Sequence, residues 1–179
     1  MEGQNIYRIW YDKPASYWEE ALPVGNGRIA AMVFGDPQLE QIQLNEETVS
    51  AGSPYQNYNE EAKTALPEMR RLIFEGKYEE AQNMAATKIL SQVGNEMPYQ
   101  TVGRLNIRYQ DHKKVNNYYR DLDISNAVAV TRYEVDGVEF TEETFASFTD
   151  QLVIRHIKAS KPGAINCELF FNTPMSCLL

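Results

Sequence analysis

The dipeptide Asp136-Gly137 constrains the fold of this chain more than any other feature. It lies between two runs that are rich in β-branched and aromatic residues, 127–135 and 138–145. A two-residue connection between such runs predicts a β-hairpin, because a type I′ turn needs a positive φ at both central residues and Asp-Gly tolerates it. The chain is therefore expected to contain antiparallel β structure.

Shorter runs with strand character occur on both sides of this hairpin. Within 39–44, Ile42 and Leu44 lie on one face and two glutamines on the other, as the alternation of a strand requires. The apolar run 28–34 predicts a strand that is covered on both faces. Other predicted strands occupy 6–11, 151–158 and 165–171, and strand character also resumes near residue 101. Turn signals occur at 25–27, 35–37 and 161–163.

The segment 59–90 has a helical pattern instead. Apolar residues recur at helical spacing in two stretches, 62–73 and 78–89, which predicts a pair of α-helices. Asn59 is the expected cap at the start of the first helix. Pro67 removes one backbone hydrogen bond, so it predicts a kink or a division of that helix into two pieces.

Charge and hydropathy exclude several classes of partner. The net charge is -8, and the clustered Lys and Arg that a nucleic-acid backbone attracts are missing, so no nucleic-acid partner is expected. No apolar run approaches the roughly 18 residues of a membrane span, so no membrane partner is expected. The N-terminus lacks the apolar core of a signal peptide. Localisation stays open, with a secreted or periplasmic full-length protein as the expectation.

The sequence has no pattern for a metal or a cofactor. His112 lies in a polar loop and His156 in a predicted strand, without the clustered acidic set that would complete a metal site. Cys167 and Cys177 have no recognisable histidine partner, and whether they pair with each other cannot be read from sequence. We therefore predict no metal and no cofactor.

Short motifs occur along the chain in an order that is typical of one enzyme family. In the first half they are Trp-Tyr-Asp-Lys-Pro-Ala at 10–15, Ala-Leu-Pro-Val-Gly-Asn-Gly at 21–27, Met-Val-Phe-Gly at 32–35 and Leu-Asn-Glu-Glu-Thr at 44–48. They continue with Arg-Arg-Leu-Ile-Phe-Glu-Gly-Lys at 70–77, Tyr-Gln-x-x-Gly-x-Leu at 99–105, Tyr-Arg-Asp-Leu-Asp at 119–123 and Phe-Ala-Ser at 145–147. In these motifs the chain resembles glycoside hydrolase family 95, the inverting α-L-fucosidases.

The resemblance implies that residues 1–179 are the N-terminal β-sandwich domain of a larger glycoside hydrolase, cut within the sandwich. The implied fold is mainly β, an antiparallel β-sandwich of the supersandwich type with an inserted pair of α-helices at 59–90. In that family the general acid and base lie on a helical barrel of the same polypeptide, so no catalytic residue is expected here. The implied partners are that barrel and an oligosaccharide substrate. Whether this chain is itself an enzyme is open, and we expect it to be inactive alone.

Two departures from the family pattern leave the sugar open. Ser50 stands where the family has Trp, and Glu142 stands where it has Arg. Loss of the Trp removes a large rigid apolar surface, so specificity could differ from that of fucosidases. Terminal α-L-fucosides and α-L-galactosides are both compatible with the resemblance.

Asn45, Glu46 and Thr48 are the candidates for contact with substrate at the rim of the cleft. They lie in the loop 44–54, which the resemblance implies is lent to that rim. The competing interpretation is that Glu46 caps backbone amides and fixes the turn. The sequence is compatible with both interpretations.

Asp121 and Asp123 form a carboxylate pair with suggestive spacing. On a strand they share a face at roughly 6.6–7 Å, within the range of about 6.5–9.5 Å that inverting hydrolysis needs. Arg120 and Arg132 are available to pair with them, and we favour this structural interpretation.

Rival functions come from other classes. A free-standing carbohydrate-binding module would expose aromatic side chains on one sheet face, and a structural docking module would present an apolar face to a partner. Glycoside phosphorylases are a rival within the enzyme class, disfavoured by the motifs at 10–15 and 44–46. A cut sandwich also predicts self-association, through 165–171 above all. The aromatic candidates for the binding module are Tyr55, Tyr58, Tyr118 and Tyr119.

Overall fold

The computed structural model describes residues 7–50, 57–91 and 99–175. Two compact units can be distinguished, one made of 1–49 with 101–179 and the other of 50–100. All the strands named here belong to the first unit and both α-helices to the second. In chain order the strands are β1 (Arg8–Tyr11), β2 (Leu22–Gly25), β3 (Ile29–Val33), β4 (Leu39–Glu46), β5 (Gly103–Tyr109), β6 (Asn116–Asp123), β7 (Val128–Val135), β8 (Val138–Ser147), β9 (Leu152–Ala159) and β10 (Cys167–Asn172).

These strands form two antiparallel sheets of five strands each. Sheet I has the order β1-β6-β7-β8-β9, and sheet II has the order β10-β5-β4-β3-β2. The core lies between the sheets, because alternate residues of each strand point to the same side. Its buried members are Leu22, Val24, Ala31, Val33, Ile42, Ile107 and Tyr109 from sheet II with Leu122 and Ala129 from sheet I. The predicted fold class, a mainly β antiparallel sandwich with a helical pair, is confirmed.

The hairpin predicted from Asp136-Gly137 is present between β7 and β8. Asp136 has φ +49° and Gly137 has φ +77°, and Val135 pairs with Val138 across the turn. Both central residues thus have the positive φ that the prediction required. The prediction for 28–34 is wrong in one respect, because β3 buries alternate residues on one face and leaves the other face partly exposed.

The helical unit contains α1 (Ala62–Phe74), α2 (Tyr78–Met84) and a π-helical turn (Ala85–Ile89). The N-cap of α1 is Glu61, so the prediction of Asn59 as the cap is wrong. Asn59 lies in the preceding turn, where its side-chain oxygen accepts a hydrogen bond from the backbone N–H of Glu61 and its backbone carbonyl accepts one from that of Ala62. α1 continues through Pro67 as one helix, so the alternative of two pieces is wrong. In the part of the chain that the structure describes, no helix is long and apolar enough to cross a membrane.

Candidate functional site

The structure brings the three predicted rim residues together at one end of sheet II. Asn45 and Glu46 are the last residues of β4, where they pair with Ala30 and Ile29 of β3. The predicted loop 44–54 is therefore wrong at 44–46, which are strand, and its residues 51–54 lie outside the described residues. Thr48 follows in the turn and is exposed. Asn45 lies on the outer face of the sheet, since its strand neighbour Leu44 packs against the core.

Glu46 organises this turn. One carboxylate oxygen accepts a hydrogen bond from Arg28 Nε at 3.0 Å. The other accepts from the Thr48 backbone N–H at 2.8 Å and from the Thr48 hydroxyl at 2.5 Å. These hydrogen bonds hold the pKa of Glu46 below its ordinary value, and the bond from the Thr48 hydroxyl contributes most to this lowering. Glu46 is therefore an ionised anchor, which favours the turn-fixing interpretation and makes it unsuited to act as a general acid.

Asn45 is the rim residue with hydrogen-bonding capacity to offer. Its side-chain amide has no hydrogen-bond partner among the described residues, and the residue is half-buried. An amide carries two donors and an acceptor, which suits recognition of neighbouring hydroxyl groups. The neighbouring Glu46 and Thr48 hold the backbone that carries this amide.

A cavity of about 270 Å³ opens beside the rim loop, between β3–β5 and β9. Most of its lining is apolar, with Asn45, Glu46, Gln151 and Arg155 as polar contributors. Such a lining fits an apolar side chain of a packing partner better than a sugar, whose hydroxyls need many polar contacts. The apolar lining residues are Ile29, Ala30, Ile42, Leu44, Val102, Leu105, Leu152 and Val153.

Asn26 is a structural residue at this end that the sequence interpretation missed. Its side-chain oxygen Oδ1 accepts hydrogen bonds from the backbone N–H of Arg28 and Ile29 at 3.0 and 2.9 Å. Its amide nitrogen donates to the carbonyl of Ser147, at the end of β8, at 2.7 Å. Asn26 thus ties sheet II to sheet I, a role that an Asn between two glycines can signal because Asn commonly forms such turns.

The carboxylate pair on β6 forms ion pairs, as the structural interpretation predicted. Asp121 is buried and lies 3.2 Å from Arg8 and 3.3 Å from Arg132. Asp123 lies 3.6 Å from Arg8. Burial raises the pKa of Asp121, and the two arginines oppose that shift. Arg8 is a partner that the sequence did not reveal.

The predicted pairing of Arg120 with these aspartates is wrong. Adjacent residues of a strand point to opposite faces, and Arg120 points into the sandwich. There it donates hydrogen bonds to the carbonyls of Lys13 and Glu20, each at 2.7 Å. Its guanidinium also lies 4.2 Å from the centre of the Tyr11 ring, so Arg120 anchors the segment between β1 and β2.

A second buried group of charges occupies the sandwich interior. Arg155 donates to Glu40 at 2.6 Å and to Glu142 from the same nitrogen, and it donates to Thr144 at 2.6 Å. Glu142 also accepts hydrogen bonds from the hydroxyls of Tyr109 and Tyr133, each at 2.8 Å. The residue that departs from the family pattern, Glu142, thus has a complete set of partners inside this chain.

The histidines are structural. His112 stacks on Tyr109 with ring centroids 4.4 Å apart, and burial lowers its pKa. His156 lies 3.2 Å from Glu143 on the neighbouring strand. No group of three metal-ligating side chains occurs within the described ranges. Cys167 is a half-buried free thiol, and Cys177 lies outside the described residues.

The aromatic candidates for a binding module are divided by the structure. Tyr118 donates its hydroxyl to the carbonyl of Gly35 at 2.6 Å and is half-buried, so its ring is not offered to a ligand. Tyr58 is exposed, but it belongs to the helical unit. Tyr55 lies outside the described residues, and Tyr119 lies on sheet I.

The two-sheet antiparallel sandwich is a fold that the N-terminal domains of glycoside hydrolases have, and a comparison with known families identifies the class. A family model described as "Glycosyl hydrolase family 65, N-terminal domain" matches residues 9–178. The chain belongs to this family.

Three curated relatives of the chain carry names of α-fucosidases. The chain is 38% identical to "Alpha-L-fucosidase 2" of Arabidopsis thaliana, over 98% of its own length and 21% of that protein. It is 26% and 24% identical to proteins named "Probable alpha-fucosidase A" in Aspergillus niger and Aspergillus oryzae, over 85% of the chain and 20% and 22% of those proteins. The chain thus spans about a fifth of the length of these relatives. The predicted N-terminal domain of a fucosidase-related glycoside hydrolase is confirmed. The matching family model is that of family 65, so the finer assignment to family 95 is not confirmed.

Proposed function

We propose that the chain is the non-catalytic N-terminal domain of a family 95-type inverting glycoside hydrolase that acts on terminal α-L-fucosides or α-L-galactosides. The observation that carries the proposal is the similarity of nearly the whole chain, 98% of it, to a protein named alpha-L-fucosidase 2. The ordered motifs, from 10–15 to 145–147, support the assignment to family 95.

The proposed partner is a helical barrel of the same polypeptide, which supplies the general acid and base. The apolar cavity beside the rim loop is suited to receive apolar side chains of that barrel. The rim loop then presents Asn45 toward an oligosaccharide in the cleft, while Arg28 and Thr48 hold Glu46 and keep the loop in place. The role of the sandwich is support and one polar contact, with no bond broken by its own residues.

The test compares this chain with the longest natural polypeptide that contains it. The longer protein should release nitrophenol from nitrophenyl α-L-fucoside or α-L-galactoside, and proton NMR should show inversion at the anomeric carbon. The chain alone should release none. Failure of the longer protein on both substrates would overturn the proposal.

The rim contact has its own prediction. Asn45→Ala in the longer protein should raise KM several-fold and leave kcat nearly unchanged, because the contact is made with bound substrate in the ground and transition states alike. Glu47→Gln is the matched control, since Glu47 is the exposed neighbour of Glu46. Equal KM values for the two variants would show that Asn45 does not contact the substrate.

A structural docking module without catalysis or sugar binding is the second candidate. The observation that favours it is on β10, where Leu169 and Phe171 are 63% and 49% exposed although they point toward the core side of sheet II. Full activity in a longer protein with both residues replaced by polar ones would count against docking through this surface.

A further inference from the structure

The outer face of sheet I carries an exposed aromatic pair. Trp10 on β1 is 61% exposed, and its ring lies 6.2 Å from that of Tyr119 on β6 with an interplanar angle of 19°. Trp10 pairs with Asp121 in the strand register, and the next residue of β6, Leu122, belongs to the core on the other side. The two nearly parallel rings therefore form a platform on the solvent side of the sheet.

Ion pairs hold this platform. Arg8 and Arg132 both contact Asp121, which is 1% exposed, and they reach it from the strands on either side of β6. Asp121 is buried, whereas the side chains of Arg8 and Arg132 are 35% and 48% exposed, so it is the carboxylate that depends on both partners. The two ion pairs link β1, β6 and β7 on the face that carries the platform, which limits the ordering required when a ligand arrives.

A small polar pocket adjoins the platform. Its volume is about 210 Å³. Arg132 on β7 lies directly opposite Tyr119 on β6 and, on its other side, directly opposite Thr141 on β8. The rings and the pocket are therefore contiguous across these three strands. The polar side chains that line the pocket are Asn117, Arg132, Glu134, Glu139 and Thr141.

We propose that this face of sheet I binds a neutral oligosaccharide, with one pyranose ring stacked on Trp10 and the hydroxyls of a neighbouring ring in the pocket. A pyranose has an apolar C–H face and polar edges, and a rigid aromatic ring beside amide, guanidinium and carboxylate groups matches both. Carboxylates outnumber arginines over the platform and pocket, so a polyanion is not favoured. This site is separate from the rim loop, which follows β4 of sheet II, and it does not depend on the function proposed above.

The two tryptophans of the chain provide the experiment. Trp10 and Trp18 have similar exposures of 61% and 54%, but Trp18 lies outside the platform. Trp18→Phe leaves Trp10 as the only indole, so its fluorescence reports directly on the site. Titration with cellohexaose, xylohexaose and a fucosyllactose, to about 10 mM because single-platform sites bind weakly, should shift or quench that emission with at least one of them.

Matched variants decide the outcome. Trp10→Ala should weaken binding of the same sugar at least about tenfold by calorimetry, Thr141→Ala should weaken it less, and Trp18→Ala should bind as the native chain does. Circular dichroism of each variant checks that the sandwich is intact. The proposal is overturned if none of the three sugars binds, if Trp10→Ala binds as well as Trp18→Ala, or if a sulfated polysaccharide binds more tightly than the neutral sugars.

Discussion

Glu40 is a fully buried carboxyl group whose proton occupancy differs between the folded and the unfolded chain. Burial is the main cause that raises its pKa to about 7, and Glu142 adds to the shift while Arg155 opposes it. One guanidinium faces two carboxylates in this cluster. The folded protein therefore retains a proton over a pH range in which an exposed glutamate has already lost it.

Stability should consequently fall as pH rises through this range. The contribution of Glu40 is fully present below its unfolded pKa of about 4.5 and is lost as pH rises through about 7, by on the order of 3 kcal/mol. Glu40→Gln cannot titrate, so its free energy of unfolding, measured with urea at a series of pH values, should depend less steeply on pH. Glu168→Gln, which removes a carboxylate from an exposed ion pair, is the matched control. Parallel pH profiles for native protein and Glu40→Gln would contradict this account.

Single residues are where the sequence predicts least. The alternation of 39–44 places Glu40 on the same face as Ile42, but nothing local shows that a carboxylate there is buried and neutralised. Its partner Arg155 is 115 residues away, and only the packing of the two sheets brings them together. Glu46 and Thr48 are two residues apart, so their contact could be anticipated from the sequence.

The β7–β8 hairpin depends on its turn. Gly137 has φ +77°, and a Cβ added there would meet no atom within 4 Å, so a side chain would cost conformational strain rather than a steric clash. Gly137→Val should lower the free energy of unfolding by about 1–3 kcal/mol, since a β-branched residue resists positive φ. The denaturation midpoint measures this.

Gly137→Asn is the control for that variant. Asn also adds a side chain, but it adopts the left-handed region more readily than Val does. It should therefore retain most of the native stability. If Val and Asn lower the midpoint equally, the loss does not come from backbone strain at this position.

Elements defined by local signals were predictable from the sequence, and their arrangement was not. The predicted runs 127–135 and 138–145 correspond closely to Val128–Val135 and Val138–Ser147. The position of β6 between β1 and β7, and of β10 beside β5, follows from pairing between distant segments that no local pattern encodes. Pro67 is a case in which the local signal misleads, because proline disfavours a helix interior and α1 nevertheless continues through it.

At the scale of the whole molecule, β10 is an edge strand of sheet II that carries exposed apolar side chains. Among the described residues β10 pairs only with β5, so its other edge is available for pairing. Leu169 and Phe171 pair with Ile107 and Leu105, whose side chains face the core, yet both are substantially exposed. An unpaired edge next to exposed apolar side chains is a template for pairing with another chain.

We therefore expect this chain to self-associate through β10. Sedimentation velocity over a range of concentrations should show dimers or larger species, and Leu169→Lys should shift the distribution toward monomer, because a charge at an open edge opposes pairing. Phe148→Lys is the control, since Phe148 lies in the turn between β8 and β9 and, at 75%, is more exposed than Leu169. If association were only nonspecific contact between apolar groups, Phe148→Lys would reduce it as much as Leu169→Lys does. A native chain that stays monomeric at high concentration would show that this flank is protected, and the exposed side chains of β10 would then not act as a pairing surface between copies.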